Sequence, residues 1–153
     1  MACMHGSASI TINASLDDVY AVLSDVTRIG EFSPECYACE WNTDSVKAVR
    51  GSTFTGHNRL DGVEWSTHCE ITTADPGRLL VFGAGDPGIP YTRWIYALEP
   101  DGVGTKVIES FEILAIPPPM KDDAEEEVAQ RIVDLIEDMR QTLARMKETI
   151  EGA

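Results

Sequence analysis

The chain has 153 residues, with 26 Asp and Glu against 12 Lys and Arg, a net charge of −14 and a pI near 4.4. That length fits one domain of ordinary size, and a hydrophobic content of 43% is too high for a disordered acidic chain. Nucleic acid and an anionic membrane surface are poor partners for such a balance, because both need a basic face.

Residues 1–8 are expected to form a flexible N-terminus, with a single domain over 9–151. Ser9-Ile10-Thr11-Ile12-Asn13 alternates like a strand. Ala14-Ser15 then offers a helix N-cap, and Asp17 and Asp18 fall in the first turn, where the helix dipole favours anions. Val19, Tyr20, Val22, Leu23 and Val26 follow at helical spacing, so a first helix should end near Ser24 and Asp25. A second short helix is expected from Thr27 to Phe32, halted by Ser33-Pro34 because proline restricts the residue before it.

Strand-like segments then recur at 37–41, 52–60, 64–74, 78–82, 92–99 and 105–113. Asp61-Gly62, Asp75-Pro76-Gly77 and Pro100-Asp101-Gly102-Val103-Gly104 read as tight connections, which imply an antiparallel meander. The breaker-rich stretch from Gly83 to Pro90 reads as a longer loop, either a flexible lip at a cavity entrance or a long hairpin connection. Pro117-Pro118-Pro119 reads as a stiff extended connector.

Beyond it, Val128, Ile132, Leu135, Ile136, Met139, Leu143, Met146 and Ile150 form one apolar stripe on a predicted helix of about 27 residues, about 40 Å long. Residues 122–138 hold eight acids (Asp122, Asp123, Glu125, Glu126, Glu127, Asp134, Glu137, Asp138) and one base, Arg131. Half of the net charge therefore sits at the start of this helix, where it suits the dipole and marks the solvated face.

The predicted order is strand, two short helices, meander, long helix. One helix covers only part of a curved sheet of six or seven strands, so a cavity for an apolar ligand is expected between them.

Several stretches carry a family resemblance. They are Ile10-Thr11-Ile12-Asn13-Ala14-Ser15-Leu16-Asp17-Asp18-Val19-Tyr20 and Phe32-Ser33-Pro34-Glu35-Cys36, then Gly51-Ser52-Thr53-Phe54-Thr55-Gly56-His57-Asn58, Trp65 and Asp75-Pro76-Gly77-Arg78. Trp94-Ile95-Tyr96-Ala97-Leu98-Glu99-Pro100 and Gly104-Thr105-Lys106-Val107-Ile108-Glu109-Ser110 complete them. In order and spacing the chain resembles the START-like helix-grip (SRPBCC) superfamily, in particular its small actinobacterial polyketide cyclase/dehydrase-like branch. The resemblance implies an α+β helix-grip fold like that of birch-pollen allergens: a curved antiparallel sheet wrapped around a long C-terminal helix, with two short helices after the first strand. It carries fold further than activity, since many members have no assigned reaction.

Alternation assigns the inner face. Phe54 and Asn58 lie on it with Gly56 and Leu60, Trp65 and Cys69 with Thr67 and Ile71, and Trp94 and Tyr96 with Leu98. Glu109 and Phe111 join it with Thr105, Val107 and Ile113, while Ile132, Ile136, Met139 and Leu143 supply the helix side. Of these, Phe54, Asn58, Trp65, Cys69, Trp94, Tyr96, Glu109, Phe111, Ile132, Ile136, Met139 and Leu143 are the candidate ligand-binding residues. Glu109 is an acid among apolar neighbours and the one candidate general acid or base. The plainer alternatives are a carboxylate bonded to Asn58, Tyr96 or a tryptophan, or a bulge that turns it to solvent. His57, His68, Arg59 and Arg93 fall on less apolar faces and read as solvated or satisfied side chains. No Gly-x-Ser-x-Gly, His-Glu-x-x-His, P-loop or dinucleotide-binding glycine pattern is present.

The opening residues show no basic n-region with a long apolar stretch, and no run is long enough to span a bilayer. The expectation is a cytoplasmic protein without membrane insertion, monomeric or weakly dimeric. Cys3, Cys36, Cys39 and Cys69 are too few for a disulfide scaffold. Cys36-Tyr37-Ala38-Cys39 lacks a second ligand pair for zinc, and on a strand its cysteines should point to opposite faces, so no metal and no cofactor are expected.

Three functions compete on these residues. The first is binding of a small hydrophobic or amphipathic molecule. The second is cyclase or dehydrase chemistry through Glu109, and the third a toxin-like or regulatory protein using its acidic helix against a protein partner.

Overall fold

The computed structural model describes residues 4–116 and 123–153. Seven strands form one antiparallel sheet: β1 (His5–Ile12), β2 (Cys36–Trp41), β3 (Thr53–Leu60), β4 (Val63–Asp75), β5 (Leu79–Asp86), β6 (Ile89–Asp101) and β7 (Gly104–Ile113). Their order is β1-β7-β6-β5-β4-β3-β2, so every neighbour from β2 to β7 is joined by a direct connection and β1 closes onto β7. Between the two edge strands run α1 (Leu16–Leu23), a 3-10 turn (Val26–Arg28) and α2 (Ile29–Phe32). The long helix α3 (Glu125–Glu151) has the expected 27 residues. This is the helix-grip fold that the resemblance implied.

Local chemistry explains the boundaries. Ser15 caps α1 by accepting from the Asp18 amide at 3.1 Å. Asp61 and Gly62, at φ 51° and 81°, make the two-residue turn between β3 and β4. The loop expectation for Gly83 to Pro90 is overturned: β5 and β6 run on to a tight turn at Pro87-Gly88. A register shift between Ala84 and Gly85 absorbs the irregularity, with Gly85 at φ 146° and Tyr91 so close that a Cβ there would lie 2.6 Å from its amide nitrogen. The breakers therefore bend a hairpin instead of ending it.

The first strand also begins earlier than expected, at His5 instead of Ser9, and pairs with β7 without interruption from His5↔Glu112 to Ile12↔Thr105. Residues 5–8 carry little apolar signal because closeness is what the fold needs there. Gly6 faces Ile136 and Phe111, and a Cβ on it would lie 2.7 Å from the Ile136 side chain. The Pro117-Pro118-Pro119 connector, like Cys3 and Asp122, lies outside the described residues.

Two apolar clusters fill the interior. The larger joins Ile12, Val19, Leu23, Phe32, Phe54, Ile71, Leu80, Phe82, Leu98 and Val107 to Leu143 and Met146 of α3. The smaller sets Phe111 against Ile132 and Met139, with Trp94 and Ile136 packed beside them. α3 is also tied down by charge: Arg131 donates through both terminal nitrogens to the carboxylate of Glu35, the residue before β2. Among the described residues no helix is long and apolar enough to cross a membrane.

Candidate functional site

The inner face of β6 and β7 carries Tyr96 opposite Glu109. Both side chains are buried, Glu109 to 4% exposure. The Tyr96 hydroxyl donates to Glu109 Oε2 at 2.9 Å. Oε1 of the same carboxyl has no hydrogen-bond partner among the described residues. Burial penalises the charged form and pushes the Glu109 pKa up to about 8, with the Tyr96 hydrogen bond opposing the rise. Burial likewise raises the Tyr96 phenol, and the neighbouring Glu109 adds to it. Near neutral pH the pair is therefore a protonated carboxyl held by a neutral phenol, and its unpartnered oxygen is free to donate.

Of the alternatives for Glu109, the structure selects Tyr96. Asn58 is instead engaged with Thr67, donating to its hydroxyl at 3.3 Å. Phe54, Cys69, Phe111, Ile132, Met139 and Leu143 are buried as expected, while Asn58, Trp65, Trp94 and Ile136 are only half-buried. Trp94 stacks obliquely on Phe111 with ring centres 5.5 Å apart. Trp65 pairs with Asn58 across β3 and β4, away from the Tyr96–Glu109 pair in register.

The histidines and arginines divide by environment. His57 bonds Ser66 at 2.8 Å and Glu40 at 3.0 Å on the outer face, so it is satisfied as expected. His68 differs, since its Nε2 is buried without a partner among the described residues. Arg59 pairs with Glu64 and Arg93 with Glu112 in solvent.

Beside Tyr96 a cavity of about 10 Å³ remains, bounded by Val22, Leu23, Ile29, Phe32, Thr142 and Met146. That is room for about one water. On the helical side of this wall, Val22 and Leu23 were visible in the sequence through helix periodicity, and Phe32 as the end of the second predicted helix. Nothing there said that α1 and α2 would press it against Tyr96. A larger surface groove of about 280 Å³ lies between α1 and the β2–β3 loop, lined by Ala21, Ser24, Asp25, Trp41, Val46, Lys47 and Ala48. It is open to solvent, and neither Tyr96 nor Glu109 borders it.

Alternation fails at β2. The register shifts between Cys36 and Ala38, so Tyr37 is an extra residue in the strand. Cys36 and Cys39 consequently lie on the same face, with sulfurs 3.4 Å apart, contrary to the expectation of opposite faces. Among the described residues no group of three or more metal-ligating side chains is assembled.

The profile of the polyketide cyclase/dehydrase and lipid transport family matches residues 4–151. The chain belongs to that family. A polyketide-cyclase-like protein of Corynebacterium glutamicum, solved by NMR, is 32% identical, with a TM-score of 0.68, over 98% of this chain and 93% of its own. A Mycobacterium smegmatis protein shares the fold at 13% identity and a TM-score of 0.68, over 97% of this chain and 92% of its own. The di-domain ARO/CYC protein StfQ of the steffimycin biosynthetic pathway matches at a TM-score of 0.75 and 14% identity, over 97% of this chain and 51% of its own. No curated protein is similar in sequence. Membership in the polyketide cyclase/dehydrase and lipid transport family supports a hydrophobic-ligand or cyclase role.

Proposed function

We propose that the protein binds a small hydrophobic or amphipathic molecule between the sheet and α3, and that Glu109 with Tyr96 anchors a carbonyl or hydroxyl of that molecule. The observation that carries this reading is Glu109 Oε1, buried without a partner among the described residues. A buried polar atom left unpaired costs about 1–3 kcal/mol, and a ligand acceptor that reaches it recovers that cost. The apolar body of the ligand replaces contacts among Phe111, Met139, Leu143 and their neighbours. The cavity beside Tyr96 holds about 10 Å³, so a ligand seated there requires the side chains of α1, α2 and α3 that line it to move apart.

A second reading is favoured by the Glu109 pKa of about 8, which suits proton transfer near neutrality. In it the pair acts as the acid of a cyclase or dehydrase on a poly-keto chain.

Two variants separate binding from chemistry. A panel of lipids and polyketides is screened by native mass spectrometry against the wild type, Glu109→Gln and Glu109→Leu. Glutamine keeps an acceptor for Tyr96 and a donor at the Oε1 position, so binding should persist. Leucine should weaken it about tenfold, the equivalent of one lost hydrogen bond. If the reaction reading holds, Glu109→Gln binds a poly-keto substrate and no longer turns it over. Failure of every apolar compound to bind the wild type, or equal binding by the leucine variant, refutes the anchor.

A further inference from the structure

The bulge at Tyr37 has a chemical consequence. On a regular strand, side chains three residues apart point to opposite faces. Here the extra residue turns Cys36 and Cys39 to the same side, where Cys36 pairs with Asn58 and Cys39 with Gly56. Gly56 leaves the space they use: a Cβ built on it would lie 3.6 Å from each sulfur. The sulfurs stand 3.4 Å apart, against about 2.05 Å in a disulfide bond, so a small movement joins them. Both are half-buried, whereas Cys69, the next thiol on this face, is only 5% exposed.

We propose that Cys36 and Cys39 are a redox-active dithiol, converted reversibly to an intramolecular disulfide by exchange with a low-molecular-weight disulfide. The reaction needs no other cofactor. The Cys36 thiolate attacks one sulfur of the disulfide RSSR and expels RS⁻, leaving a mixed disulfide on Cys36. Cys39 loses its proton to solvent, its sulfur attacks Cys36 Sγ, and the second RS⁻ leaves. Two S–H bonds are lost and one S–S bond is gained, while RSSR is reduced to two RSH.

The thiols are not equivalent, which fixes the order of events. The hydrogen bond with Cys39 is the main cause that lowers the Cys36 pKa, and the same contact with burial raises that of Cys39. Cys36 is thus the attacking thiol and Cys39 the resolving one. The pair is set in the edge strand β2 and is felt by Tyr96: after burial and Glu109, charge at Cys36 and Cys39 further raises the phenol.

The full chain is incubated with oxidised glutathione, quenched with acid, and analysed by intact mass and by peptide mapping without reduction. The expected product is lighter by two hydrogens, carries a Cys36–Cys39 cross-link and reverts with dithiothreitol. Cys39→Ser should stop at a stable glutathione adduct on Cys36, and Cys36→Ser should form its adduct on Cys39 at least tenfold more slowly. A wild type that stops at the mixed disulfide, or that links Cys3 or Cys69 instead, overturns the proposal. Neither result bears on whether the interior binds a ligand.

Discussion

At the scale of one residue, Glu109 sets how the fold responds to pH. Its pKa rises from the ordinary carboxylate value of 4.5 to about 8 on folding, chiefly through burial. Between those values the folded chain holds a proton that the unfolded chain has released, so stability falls as pH rises. This contribution is fully present below pH 4.5 and lost once the pH passes about 8. Each pH unit inside the window costs up to about 1.4 kcal/mol. Asp138 adds a slope of the same sign up to about pH 6, through burial and its hydrogen bond with Glu35, so the two must be separated. Comparison of wild type with Glu109→Gln does so. The difference in urea stability should shift in favour of the variant from pH 5 to pH 8. A difference that stays constant with pH would place the Glu109 pKa near its ordinary value.

At the scale of elements, α3 sits on β1 through a glycine. Replacing Gly6 by alanine would gain up to about 1 kcal/mol by restricting the unfolded chain. The added methyl group, however, meets Ile136 at 2.7 Å and Phe111 at 2.9 Å. Overpacking of that kind costs about 1–3 kcal/mol, so the clash wins and Gly6→Ala is destabilising. Ile136→Val in the same chain should recover part of the loss, a coupling visible as non-additive urea midpoints. An alanine variant more stable than the wild type would mean that α3 rides farther from β1. The same pair shows what a sequence exposes and what it hides. The long apolar stripe made α3 and its length legible, and Asp61-Gly62 made the β3–β4 turn legible. Nothing at Gly6 announced a strand, because a missing side chain leaves no pattern. Gly85 and Pro90 were misleading for a related reason, since a bulge uses the residues that otherwise end strands. The buried inner-face residues Phe54, Cys69, Tyr96, Glu109 and Phe111 followed from period-two alternation, whereas Leu60, placed on the same face, is exposed at the end of β3. The paired sulfurs of Cys36 and Cys39 did not, since one inserted residue reverses the parity and Tyr37 has nothing that marks it.

At the scale of the whole molecule, charge opposes the compact state. With 26 acids and 12 bases, 14 negative charges remain after every base is matched. The ion pairs offset little of this. Arg59–Glu64, Arg93–Glu112 and Arg140–Glu137 are solvent-exposed, and such pairs contribute about 0–1 kcal/mol each. Arg131–Glu35 is the better-shielded contact, at 21% and 13% side-chain exposure. Glu125, Glu126 and Glu127 gain from the dipole at the start of α3, but they also repel one another. Salt weakens both the local attractions and the general repulsion. The repulsion acts over longer distances and is screened first as the Debye length falls from about 30 Å at 0.01 M to about 8 Å at 0.15 M. The urea midpoint should therefore rise over that range of sodium chloride while the slope of the transition stays unchanged. A midpoint that falls with salt would show that the local pairs outweigh the repulsion. The acidic start of α3 would then be held by specific partners and not merely kept in water.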